Sequence, residues 1–135
     1  LADPYYAVQV VKHQYTTKHP RKYLGTLMES ENRDYERKNW ASLMLINCGH
    51  PSWRAITPRE AARMKPLDLL QLLFLDDEEI GELRPAWNWL ADEFGESTDA
   101  KIVHWTSGTP AFLRYQDTPM ASVWRDAHAW ANRTC

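Results

Sequence analysis

A chain of 135 residues with 44% hydrophobic content has room for one ordinary domain, which would bury about two-thirds of its surface on folding. Its formal charge of -2, with acids and bases interspersed, excludes the strongly basic face on which nucleic-acid modules rely, so no nucleic-acid partner is expected. No apolar stretch is long enough to cross a bilayer and no signal-like leader is present, so the reading is cytoplasmic with no membrane partner. Cys48 and Cys135 stand far apart without metal-ligand spacing and read as free thiols.

In chain order, the β-branched and aromatic residues from Tyr5 predict a first strand over 5–12. Residues 14–39 are polar, with Tyr15, Tyr23 and Tyr35 interleaved among Lys18, Arg21, Lys22, Arg33, Arg37 and Lys38. They predict a long exposed loop suited to a sugar phosphate, or else a merely solvated face. Lacking an apolar period, Gln14 to Lys38 is also expected to be the most mobile part of the chain. The continuous apolar run Leu43-Met-Leu-Ile46 predicts a strand over 42–48 with both faces covered. Asn39 and Asn47 sit at its ends, where an amide offers a sugar hydroxyl both donor and acceptor, although asparagine there also simply forms turns.

Thr57-Pro-Arg-Glu60 carries a capping box and should start a helix that Pro66 stops. Leu67, Leu69, Leu70, Leu72, Leu73 and Phe74 predict a second helix, mostly buried. The acids Asp76-Asp-Glu-Glu79 suit a solvated helix N-terminus or a cation. A third strand is expected over 101–106, ending near Gly108 and Pro110 and carrying His104, whose imidazole suits a divalent metal or a phosphate oxygen. Thr118-Pro119 should start a last helix with its apolar stripe on Met120, Val123, Trp124, Ala127 and Trp130. The fold class is therefore α/β, a small mixed sheet of non-locally paired strands with packed helices, in a single domain over 1–135. No nucleophile elbow, Walker loop, dinucleotide fingerprint or His-Glu-x-x-His occurs.

Three segments together resemble the C-terminal half of a GT-A-fold nucleotide-sugar glycosyltransferase, near the bacterial and phage relatives of the glycogenin-like family: Tyr6-Ala-Val-Gln-Val-Val-Lys-His13, Arg37-Lys-Asn-Trp-Ala-Ser-Leu-Met-Leu-Ile-Asn-Cys48 and Lys101-Ile-Val-His-Trp-Thr-Ser-Gly-Thr-Pro110. Leu75-Asp-Asp-Glu-Glu-Ile-Gly-Glu-Leu83 and Pro85-Ala-Trp-Asn-Trp-Leu90 also look like family segments, in the family's order. The chain departs from the pattern in having no Asp-x-Asp pair, and Ala111 stands where relatives carry an aromatic after the proline.

The resemblance implies that Lys12, His13, Asn39, Trp40 and Asn47 bind a nucleotide-sugar, that Trp105 lies near it, and that His104 is a metal ligand. It implies a divalent cofactor, manganese or magnesium, and a nucleotide-binding half N-terminal to these residues. Glycosyl transfer is the activity implied if that half completes the site. The alternative is a non-catalytic truncated relative acting as a binding or oligomerisation module. His104 is expected at the C-terminal end of its strand, within about 10 Å of Asn47. An uncovered strand edge or apolar patch leads to the expectation of a homodimer burying more than about 1,000 Å².

Overall fold

Ala7-Val8-Gln9-Val10-Val11 is buried at every position, as a strand with partners on both sides requires. The computed structural model describes residues 3–133 and sets that strand in a mixed α/β arrangement. Its elements in chain order are β1 (Val8–Val10), β2 (Arg21–Lys22), β3 (Ser30–Glu31), β4 (Met44–Ile46), α1 (Pro58–Ala61), α2 (Pro66–Leu70), β5 (Ile80–Glu82), β6 (Trp89–Leu90), α3 (Ala91–Phe94), β7 (Val103–His104) and α4 (Ala121–Ala131), with short 3₁₀ turns between them. They fall into two compact units, one formed by 3–15 with 35–87, the other by 16–34 with 88–133.

In the first unit the sheet order is β4-β1-β5. β4 runs antiparallel to β1 with Val8 opposite Ile46 and Val10 opposite Met44. β5 runs parallel to it with Val8 opposite Ile80 and Val10 opposite Glu82. The mixed sheet and the non-local pairing thus match expectation, but its third strand is Ile80–Glu82, and 101–106 is not part of it. Val8, Val10 and Ile80 pack with Ala7, Leu72 and Leu75, and Trp40, Ala41, Trp53 and Phe74 close over them. On the other face a β-carbon at Gly81 would collide with the Tyr6 ring and the Gln9 side chain, so only glycine admits that packing.

Two expectations for this unit fail. β4 was expected to be covered on both faces, yet it is an edge strand with Met44 and Ile46 exposed, because β1 is its only strand partner among the described residues. The leucine-rich helix was expected to be mostly buried. Pro66 begins it instead of ending its predecessor, and it stops at Leu70. Leu72 then turns left-handed at φ 56°. Leu72 and Leu75 enter the core while Leu67, Leu70 and Leu73 stay exposed. The capping box at Thr57 forms as expected, its hydroxyl accepting from Glu60 N. Asp76 and Glu79 form a second capping box, so at least two of the four acids serve a helix end.

In the second unit β2 and β3 make an antiparallel hairpin with Arg21 opposite Glu31, and β6 and β7 pair in parallel with Leu90 opposite His104. The stretch read as a long loop is thus built around a hairpin, and its start is fastened to α3. The Glu93 carboxylate, only 2% exposed, accepts from the Thr17 hydroxyl at 2.5 Å and the Lys18 N–H at 2.9 Å, and the Lys18 ammonium donates to the Glu93 main-chain oxygen at 2.6 Å. Asn32 closes the hairpin base, donating to Thr17 Oγ1 and to the His19 carbonyl. The last helix starts at Ala121, after Met120 in a left-handed conformation. Of its expected stripe Met120 is buried, Trp124 is half-buried and stacks on His128, and Val123 and Trp130 are exposed.

Candidate functional site

β1 and β5 point their C-terminal ends the same way, the end at which α/β sheets gather ligand groups. Lys12 and His13 follow β1 directly. Because β4 is antiparallel, the turn that precedes it, Trp40–Ser42, returns to this same end. The Trp40 indole Nε1 donates to the His13 carbonyl at 3.2 Å. The Lys12 ammonium lies 5.5 Å and the Arg37 guanidinium 5.3 Å from the Trp40 ring centre. His13 is buried with its ring edge-on to Tyr15. The Tyr15 hydroxyl accepts from Asn39 Nδ2 at 2.6 Å, and the Lys38 ammonium sits 5.7 Å from the Tyr15 ring.

The loop that presents these groups is conformationally specialised. Arg37 and Asn39 both take left-handed backbone, φ 54° and 63°, and they flank Lys38, which is 7% exposed. Asparagine tolerates that region, but arginine rarely occupies it. Arg37 is held there by a bond to the Gln71 carbonyl at 3.1 Å and by an ion pair with Asp77. Gln71 in turn donates to the Glu36 carbonyl at 2.8 Å. A small cleft of about 80 Å³ opens among Tyr35, Asn39, Ala41, Ser42 and Leu70. Strain concentrated beside cations and aromatic rings is typical of a ligand clamp.

Four of the five expected sugar-site residues, Lys12, His13, Asn39 and Trp40, therefore stand at one edge. Asn47 does not join them. Its N–H pairs with the Ala7 carbonyl, at the opposite end of β1, five residues or roughly 16 Å from Lys12 along an extended strand. There its amide donates to the Pro4 carbonyl and accepts from Gly49, and it lines a separate cleft of about 530 Å³ with Asp3, Tyr6, Gln9, Leu45 and Cys48. Tyr15, read from the sequence only as a member of a long loop, and Arg37 and Lys38, which open the second family-like segment but were not named as site residues, complete the edge cluster.

His104 belongs to the second unit and Asn47 to the first. His104 ends β7, as expected, with Nδ1 3.3 Å from Asn88 Oδ1. With Nδ1 protonated it donates to the buried Asn88, which leaves Nε2 as the ring's acceptor. Burial pushes the imidazole below its ordinary value, and Asp92 opposes this in part. Asp92 accepts from Thr106 N, Thr106 Oγ1 and Ser107 N, so the residues after His104 wrap a carboxylate. Gly108 admits the Tyr115 ring where a β-carbon would collide. The Trp105 indole is engaged by the Pro119 carbonyl at 2.9 Å. No spacing rule in the sequence identifies Asn88 or Asp92 as partners of this segment. As a metal centre it is incomplete: among the described residues no group of three His, Cys, Asp or Glu stands together to hold an ion, and one imidazole is far short of a divalent cation's ligand set. Among the described residues no helix is long and apolar enough to cross a membrane.

Neither a protein-family profile nor a solved structure matches the chain. It is similar to Protein CDI of Arabidopsis thaliana, with 36% identity over 129 residues that cover 92% of this chain and 48% of the plant protein. The chain thus spans about half the length of the curated relative it matches.

Proposed function

We propose that the chain is a glycosyltransferase-like domain that binds a nucleotide-sugar at the β1 edge of its first unit. The observation that carries this reading is the convergence of Lys12, Arg37 and Lys38 with the Trp40 and Tyr15 rings at that edge. The Lys12 ammonium would neutralise a diphosphate, an indole face packs against the apolar face of a pyranose, and Asn39 supplies an amide for a hydroxyl, while Arg37 and Lys38 add positive potential from their own bonded positions. The resemblance of five segments to the GT-A family's C-terminal half supports the same reading. Asn47, at the far end of β1, is outside the proposed contact set.

A divalent cation, manganese or magnesium, is part of the proposal only as an ion that other ligands would complete beside His104, and no step is assigned to it. The second reading, a non-catalytic binding or oligomerisation module, is favoured by one specific feature, the absence of Asp-x-Asp from the sequence. Titrating the chain with manganese and a panel of nucleotide-sugars separates the two. Metal-dependent binding with slow donor hydrolysis supports the enzyme, metal-independent binding without hydrolysis supports the module, and no binding by any of the panel removes the nucleotide-sugar reading.

A further inference from the structure

The hairpin of the second unit ends in an apolar tip that nothing in the proposed function uses. Leu27 is 108% exposed and Met28 54%, and the tip carries hydrogen bonds of its own. Tyr23 and Gly25 take left-handed backbone, the Thr26 hydroxyl donates to the Tyr23 carbonyl at 2.8 Å, and Gly25 N donates to the Glu29 carboxylate at 2.9 Å. A second segment reaches the same end. The Leu24 N–H donates to the Tyr115 hydroxyl at 2.9 Å, the Phe112 and Tyr23 rings lie 6.3 Å apart, and the Arg114 side chain packs on Gly25. Leu113, 81% exposed, is carried there with them.

Charge around the tip is one-sided. Arg21, Lys22, Arg33 and Arg114 stand against two carboxylates, Glu29 paired with Arg21 and Glu31 paired with Arg33. Four cations against two carboxylates leave a net excess of two positive charges, with Arg114 also acting on Glu29 and Lys22 outside both ion pairs. From the protruding leucines and this excess of cations behind them, we infer that the hairpin tip docks on an anionic lipid surface, inserting Leu27 and Leu113 while Lys22 and Arg114 meet the headgroups. A convex tip suits a medium that closes around it, whereas a protein would need a pocket to receive a leucine exposed on every side. Peripheral attachment of this kind needs no spanning segment.

The test is co-sedimentation of the full chain with vesicles of phosphatidylcholine alone and of phosphatidylcholine containing about one-third phosphatidylserine, at low salt. The expected result is about fivefold or greater preference for the anionic vesicles, lost in a Lys22→Gln/Arg114→Gln variant. Leu27→Ser/Leu113→Ser should lower partitioning about tenfold with an unchanged far-ultraviolet circular dichroism spectrum. Leu27→Ser alone, at a fully exposed position, provides the same comparison should the double variant misfold. Absence of vesicle binding, equal binding to both compositions, or undiminished binding by the leucine variants overturns the inference, the first of these in favour of a protein partner.

Discussion

The Trp40 indole and the His13 carbonyl are joined by one 3.2 Å hydrogen bond across 27 residues of sequence. That bond fastens the turn before β4 to the end of β1. With cations within 6 Å of the ring on Lys12 and Arg37, the indole becomes the floor of the edge cluster.

Trp40 is therefore expected to contribute to both stability and ligand binding. Trp40→Phe keeps an aromatic face but loses the bond to His13, and should cost about 1 kcal/mol in urea unfolding. Trp40→Ala also leaves a cavity against the core cluster of the first unit and should cost about 3 kcal/mol. Equal stability of the two variants would mean that the ring does not pack on the core.

His104 gives the chain a pH dependence with a definite sign. Burial lowers its folded-state value from the ordinary 6.5, so as pH falls below about 6.5 the unfolded chain takes up the proton first. Stability from the neutral imidazole is full above that point and is lost as pH falls towards the lowered value. Urea midpoints of the native chain should drop more steeply between about pH 7.5 and pH 5 than those of His104→Asn. Parallel slopes would contradict the assignment, as would an imidazole titrating above 6.5 by NMR.

Gly81 should not tolerate a side chain. Gly81→Ala drives a β-carbon into the Tyr6 ring and Gln9 and should destabilise by about 1–3 kcal/mol. Gly49→Ala, where the nearest neighbour is the Asn47 side-chain oxygen at 3.5 Å, should change stability by less than about 0.5 kcal/mol. Thermal unfolding of the pair measures the contrast directly.

Glu93 is the fastening point of the hairpin's leading segment. Glu93→Gln preserves volume but weakens the bonds to the Thr17 hydroxyl and Lys18 N–H. Amide exchange over residues 17–32 should quicken about tenfold while exchange in β1 stays unchanged. Uniform acceleration throughout would show that Glu93 acts on global stability instead.

These residues also mark what the sequence discloses. The apolar runs Val8–Val11 and Leu43–Ile46 announce β1 and β4, and the Thr57 capping box announces α1. β5 is concealed because its Gly81 lowers strand propensity and its neighbours are acids. β6, two residues long, is too short for any period to register, whereas β7 lies inside the strand expected over 101–106, which is shorter than expected and pairs with β6 instead of joining the sheet of β1. Of the four edge residues, Asn39 was legible as the residue before a predicted strand, whereas Lys12, His13 and Trp40 were named only through the family resemblance. Asn47 was misplaced because the antiparallel sense of β4, which sends its far end away from Lys12, is a property of pairing and not of local pattern. The left-handed backbone at Arg37 leaves no trace in residue type.

The most direct test of the central claim is an NMR titration of the chain with nucleotide-sugars, following the Trp40 indole N–H and the amides of Lys12, His13 and Asn39. A saturable shift of these resonances, weakened by Lys12→Gln and absent from the Asn47 and Cys48 amides, is the predicted result. No saturable shift up to about millimolar ligand, or shifts confined to the cleft around Asn47 and Cys48, would contradict it.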